Sequence, residues 1–124
     1  MNHPGLWGRS ILVVEDELLI AMDIAGALEK AGARATMTTT VRHALILVEH
    51  DGLSGAIMDH ALSDGDSTAL CARLKARGIP YLSYSGYSAV AGAYLATPHI
   101  TKPVPMDFLM SALEELLPST PRIS

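Results

Sequence analysis

Apolar positions along this chain change their spacing at regular intervals. Ile11-Leu12-Val13-Val14 is a continuous β-branched run, the pattern of a strand covered on both faces. Ile20, Ile24, Ala27, Leu28 and Ala31 then recur at helical spacing, with Gly32 placed as a C-cap. Arg34 to Thr39 alternates and reads as a second, less buried strand. Thr40 is placed to cap a helix that turns Val41, Ala44, Leu45 and Val48 inward. Ala56 to Asp59 reads as the third strand. Asp66 or Ser67 caps a helix built on Ala69, Leu70 and Leu74, which Gly78-Ile79-Pro80 ends. Tyr81 to Tyr84 is the fourth strand, Ser88 to Ala96 a short and weakly patterned fourth helix, and His99 to Thr101 a brief fifth strand. Pro105 opens a last helix with Leu109, Ala112, Leu113 and Leu116 facing in, and Pro118 stops it. The first eight residues and the last seven read as loose ends.

Five strand–helix units in this order predict an α/β fold: a parallel sheet with helices on both faces, doubly wound by right-handed crossovers. In such a sheet a ligand belongs at the carboxyl ends of the strands, where strand order reverses. The polar residues expected there are Glu15, Asp16 and Glu17 after the first strand and Asp59 after the third. Ser85 and Gly86 follow the fourth strand, and Lys102-Pro103 follows the fifth. Packed carboxylates repel, and burial raises the cost of each charge. A divalent cation with oxygen ligands resolves the conflict, and Mg²⁺ keeps waters that a phosphate can displace. Lys102 supplies a further positive charge for Asp59 or a phosphoryl oxygen, and Ser85 a hydroxyl. A carboxylate nucleophile, a cation site, a lysine and a hydroxyl together make a phosphoryl-acceptor site.

Composition narrows the class. The chain has 124 residues, the size of one domain, and 49% of them are apolar, enough for a core. Its net charge is −4, and the nine Lys and Arg are scattered, which argues against nucleic acid as the partner. One cysteine, Cys71, excludes an internal disulfide and a thiolate metal cluster. No apolar stretch reaches the length of a membrane span, and no leader pattern opens the chain, so the expected location is cytoplasmic.

The stretches "ILVVEDE", "AIMDHALSDGDS", "YLSYSGY" and "ITKPVP" resemble the receiver domain of bacterial two-component response regulators. The resemblance covers about Arg9 to Leu117, and residues 1–124 read as one such domain. It implies a flavodoxin-like (βα)5 fold with strand order 2-1-3-4-5. It implies that Asp59 is phosphorylated, and that Mg²⁺ is held by Glu15 (directly or through water), Asp16, Asp59 and the backbone carbonyl of Ala61. Ser85 takes the place of the switch Thr or Ser, Lys102 that of the family's lysine, and Lys102-Pro103 that of a peptide often cis. A sensor histidine kinase or histidine phosphotransfer protein would donate the phosphoryl group. A downstream protein would read the face formed by the fourth helix, fifth strand and fifth helix. The implied role is a phosphoacceptor switch rather than an enzyme. With no effector segment after Ser124, output is expected through protein contact or onward phosphotransfer.

The pattern departs from the family in three places. Ser85-Gly86 stands where Thr-Ala is common, Ser63 where Pro is usual, and His99 where an aromatic residue normally swings inward. "YSGY" is similar to a single-domain subgroup with a Phe-x-Thr-Gly-x-Tyr motif. The response is therefore expected in the loop carrying Gly86 and Tyr87 rather than at His99.

Blander readings compete. Asp59 alone would be a turn residue, and Glu17 is read as capping rather than liganding. The five histidines form no metal motif, with His3 in a loose end and His99 a strand residue. Met37, Met58, Met106 and Met110 read as core filler. Two other functions stand beside the switch: a receiver-like interaction module that works without phosphorylation, and an aspartyl-phosphate hydrolase. Mg²⁺ binding separates the first, and multiple turnover the second.

Overall fold

The computed structural model describes residues 3–59, 67–86 and 98–118. Its elements are β1 (Ser10–Val14), α1 (Leu18–Lys30), β2 (Arg34–Thr38), α2 (Val41–Leu47), β3 (Gly55–Met58), α3 (Thr68–Ala76), β4 (Tyr81–Ser85), β5 (His99–Thr101) and α4 (Met106–Leu116). The helix expected over Ser88–Ala96 lies outside the described residues, so the last helix of the sequence pattern is α4. Among the described residues there are five strands and four α-helices, and all the strands run parallel in the order β2-β1-β3-β4-β5. The flavodoxin-like order expected from the resemblance is therefore found.

The sheet separates two cores. On one face α1 contributes Ala21, Ile24 and Leu28, and α4 contributes Leu109, Met110 and Leu113. They pack against Ile11, Val13, Ile57, Leu82 and Tyr84. On the other face Val41 and Ala44 of α2 and Leu70, Cys71 and Leu74 of α3 pack against Leu12, Val14, Ala56, Met58 and Tyr81. Alternate residues of each strand go to opposite faces, so the unbroken apolar runs of β1 and β3 serve both cores. Edge strand β2 is largely exposed, as its alternation suggests.

Local signals explain several boundaries. The Thr40 hydroxyl accepts the His43 N–H at 3.1 Å and starts α2. Gly32, at φ +89°, turns the chain out of α1 where an L residue would be strained. Ser67 precedes α3, but its side chain makes no capping bond, and Asp66 lies outside the described residues.

The N-terminus departs from expectation. Pro4–Leu6 forms a short 3₁₀ turn, and Leu6 is completely buried in the α1–α4 core. His3 is buried too: its Nε2 lies 2.8 Å from Asp107 Oδ1, and its Nδ1 3.4 Å from Glu114 Oε1. The Gly5 N–H donates to Glu114 Oε2 at 2.7 Å, and a Cβ at Gly5 would come within 2.7 Å of Glu114 Cγ. Residues 3–8 are thus a clasp on α4 rather than a loose end, and Leu117 also packs into the core. The methionine reading is corrected in part. Met58 and Met110 are core and half-buried Met106 packs against it at the start of α4, whereas Met37 is 40% exposed on β2.

Candidate functional site: an acidic pocket closed by a lysine

Strand pairing delivers the site residues. The Glu15 N–H donates to Thr38 O, Asp59 N–H to Val14 O, and Lys102 N–H to Ser85 O, at 3.0, 3.0 and 2.8 Å. Each residue thus extends the parallel ladder one step past its strand. In the register Val14↔Met58 and Ser85↔Thr101, the chain leaves the sheet on one edge at each of these points.

At that edge carboxylate oxygens of Glu15, Asp16 and Asp59 all lie within 4.8 Å of one another. Glu15 and Asp59 are buried, at 2% and 5% exposure, and Asp16 is half-buried. The Lys102 ammonium donates to Glu15 Oε1 at 2.6 Å and to Asp59 Oδ2 at 2.9 Å. Glu15 Oε2 also accepts the Glu17 N–H at 3.1 Å. Glu17 occupies the N-cap position of α1, but its side chain makes no capping bond, contrary to its expected role. The local helix start is served by Glu15 instead.

The charges do not balance. Three carboxylates face one ammonium, and water is largely excluded. Burial pushes the Glu15 carboxyl above its ordinary range, and neighbouring Asp59 pushes the same way. The bonds from Lys102 and the Glu17 N–H oppose them without prevailing. For Lys102, burial disfavours the charged form, but the bonds to Glu15 and Asp59 outweigh it and raise the pKa. A surplus of buried oxygen ligands with one half-exposed member suits a hard divalent cation, and the donor set fits Mg²⁺ better than a softer metal.

The structure also places the remaining sequence candidates. Ser85 ends β4, fully buried and joined to Lys102 through its carbonyl. Gly86 follows it, exposed, and a Cβ there would meet nothing within 4 Å. His99 lies in β5, half-buried, and its Nδ1 shares a 2.8 Å hydrogen bond with Ser83 Oγ. The Lys102–Pro103 peptide is cis. Ala61 and Tyr87, together with His60 and Ser63, lie outside the described residues.

One neighbour of the pocket was not picked out from the sequence. The Lys102 ammonium stands over the Tyr84 ring, 5.6 Å from its centre, and the Tyr84 hydroxyl accepts the Val104 N–H at 3.3 Å. Only the alternation along "YLSYS" hinted at it, since that pattern sends Tyr84 to the opposite face from Ser83 and Ser85.

No family model matches the chain. Among curated proteins, the photosynthetic apparatus regulatory protein RegA of Rhodobacter capsulatus is 28% identical over 123 residues. That match covers 91% of this chain and 67% of RegA, and the chain spans under half of a further curated relative. The solution structure of SdrG from Sphingomonas melonis Fr1 is 36% identical, covering 90% of this chain and 97% of SdrG, with a TM-score of 0.77. SdrG has also been solved in a BeF3-activated conformation, 38% identical with a TM-score of 0.73. A CheY-like response regulator receiver domain from Methanospirillum hungatei JF-1 superposes with a TM-score of 0.80. It is 25% identical and covers 87% of this chain and 92% of its own. The strand order, the two-faced helical cover and these likenesses agree: the chain belongs to the CheY-like receiver domains of response regulators.

Proposed function

We propose that Asp59 accepts a phosphoryl group from the phosphohistidine of a sensor kinase or phosphotransfer protein, with Mg²⁺ held by Glu15, Asp16 and Asp59. An Asp59 oxygen attacks phosphorus and a P–O bond forms. The P–N bond of the donor breaks, and its electron pair returns to the imidazole, which takes up a proton. When bound, Mg²⁺ supplies positive charge to the transferring phosphoryl oxygens. Lys102 holds an Asp59 oxygen in the resting pocket and pairs with the phosphoryl group once it arrives, while Ser85 offers its hydroxyl from the neighbouring strand end. The Ala61 carbonyl completes the cation site in this reading.

The convergence of Glu15, Asp16, Asp59 and Lys102 carries the proposal, because nothing in the fold alone requires three carboxylates around one half-buried ammonium. The BeF3-activated state of SdrG adds support, since that anion is the size and shape of a phosphoryl group. Output passes to a protein partner through the side of the fold bearing β5 and α4, with the Gly86–Tyr87 loop responding. Among the described residues no helix is long and apolar enough to cross a membrane, and the net charge of −4 disfavours nucleic acid. A cytoplasmic switch with no turnover of external substrate fits these properties.

Acetyl phosphate with Mg²⁺ tests the assignment. The intact protein should gain the mass of one phosphoryl group, Asp59→Asn should gain none, and chelating Mg²⁺ should abolish the gain. Unchanged labelling of Asp59→Asn refutes it.

A further inference from the structure

Lys102 has two of its three ammonium hydrogens directed to Glu15 and Asp59, and both bonds serve the resting state. If it is to serve an incoming phosphoryl group, the side chain must leave one of those oxygens without leaving the pocket. A flexible four-carbon stem does not hold such a position by itself. Something outside the carboxylates has to keep it there.

We propose that Tyr84 is that positioning residue, a ring-and-hydroxyl brace for Lys102. This rests on the phosphoacceptor reading above. Tyr84 is 3% exposed and sits in the α1–α4 core, so its ring is fixed by packing. The ring lies under the ammonium at 5.6 Å, within the range of a cation–π contact. Its hydroxyl accepts the Val104 N–H two residues beyond Lys102. The same side chain therefore holds the lysine from below and the following backbone from the side. A ring attracts an ammonium without a fixed hydrogen-bond direction. Lys102 can then exchange a carboxylate oxygen for a phosphoryl oxygen while the ring contact persists. Phe would fill nearly the same core volume, so packing alone does not call for a hydroxyl at this point.

Two conservative changes separate the parts. Tyr84→Phe keeps the ring and removes the hydroxyl; Tyr84→Leu keeps an apolar side chain of smaller volume and removes the ring. With acetyl phosphate, the maximal labelling rate of Tyr84→Leu should fall about two- to thirtyfold, the range of one cation–π contact. Its Mg²⁺ half-saturation should not move, because the three carboxylates remain. Tyr84→Phe should keep most of the rate, while exchange of the Val104 amide speeds up. A general loss of structure would shift rate and Mg²⁺ dependence together, and that result overturns the proposal.

A second measurement needs no phosphoryl chemistry. ¹³C relaxation of the Lys102 ε-methylene should show greater mobility in Tyr84→Leu and little change in Tyr84→Phe. Equal order in the parent and Tyr84→Leu overturns the brace, whether or not the protein is labelled. A parent protein that shows the brace by relaxation but takes no phosphoryl group overturns the phosphoacceptor reading instead. If Tyr84→Leu does not fold, Tyr84→Phe still decides: an unchanged Val104 amide removes the hydroxyl half and with it the proposal.

Discussion

Replacing Asp59 by Asn should stabilise the metal-free protein. Asp59 is held 2.9 Å from the Lys102 ammonium, an attraction of about 6 kcal/mol at an effective dielectric of about 20. It also lies within 4.8 Å of carboxylate oxygens on Glu15 and Asp16. At that separation each repulsion is about 3.5 kcal/mol, so the two together are about 7 kcal/mol. Screening at half-exposed Asp16 trims the repulsion, and releasing a charge that is 95% shielded from water adds to the gain. The expected net effect is an increase of about 1–3 kcal/mol in unfolding free energy. Mg²⁺ reverses the ranking. A ligand bound only by the native state adds about 1.4 kcal/mol for every tenfold excess over its Kd. The parent should gain this and the Asn variant little of it. Urea unfolding at neutral pH, with chelator and then with millimolar Mg²⁺, reads both effects. An Asn variant less stable than its parent under chelation, or equally responsive to Mg²⁺, would refute the view of the pocket as a cluster of unbalanced charge.

Glu15 makes the stability pH-dependent in an unusual direction. Its folded pKa lies above the ordinary glutamate value of 4.5, so the native state binds this proton more tightly than the unfolded chain does. Ionised Glu15 therefore costs native stability at neutral pH, and that cost disappears as pH falls through the folded pKa towards 4.5. Glu15→Gln should flatten this part of the stability–pH curve, measured by denaturant titration without Mg²⁺; an unchanged slope would count against a buried, strained carboxyl. Separately, Leu6→Ala should lose about 2–5 kcal/mol, as for a fully buried leucine, with labelling of Asp59 retained at low temperature. A loss below 0.5 kcal/mol, the scale of a surface change, would mean that the N-terminal clasp does not close in solution.

The central strands were legible because a parallel strand covered on both faces needs an uninterrupted apolar run, which "ILVV" and "AIM" supply. Asp59 and Lys102 were legible because a polar residue stands directly after such a run. The clasp was not: residues 3–8 have no period, and burial of Leu6 and His3 depends on α4, about a hundred residues on. Met37 was misread because residue type was weighed above position: its strand already read as less buried and as the edge of the sheet. Tyr84 escaped notice because its contacts with Lys102 and Val104 come from the pairing of β4 with β5, and one strand's pattern does not contain its neighbour's.

Parallel strands share one sense of direction, so the molecule has a working end and a service end. Glu15 and Asp59 stand where strands finish. Arg9 leads into β1 from the other end, and its guanidinium donates to the Pro118 carbonyl just past α4. A five-residue strand, about 17 Å long, keeps the two ends apart. Pro118 therefore stands at the service end, where α4 has finished and away from Asp59. A substitution at that end would leave access to Asp59 untouched.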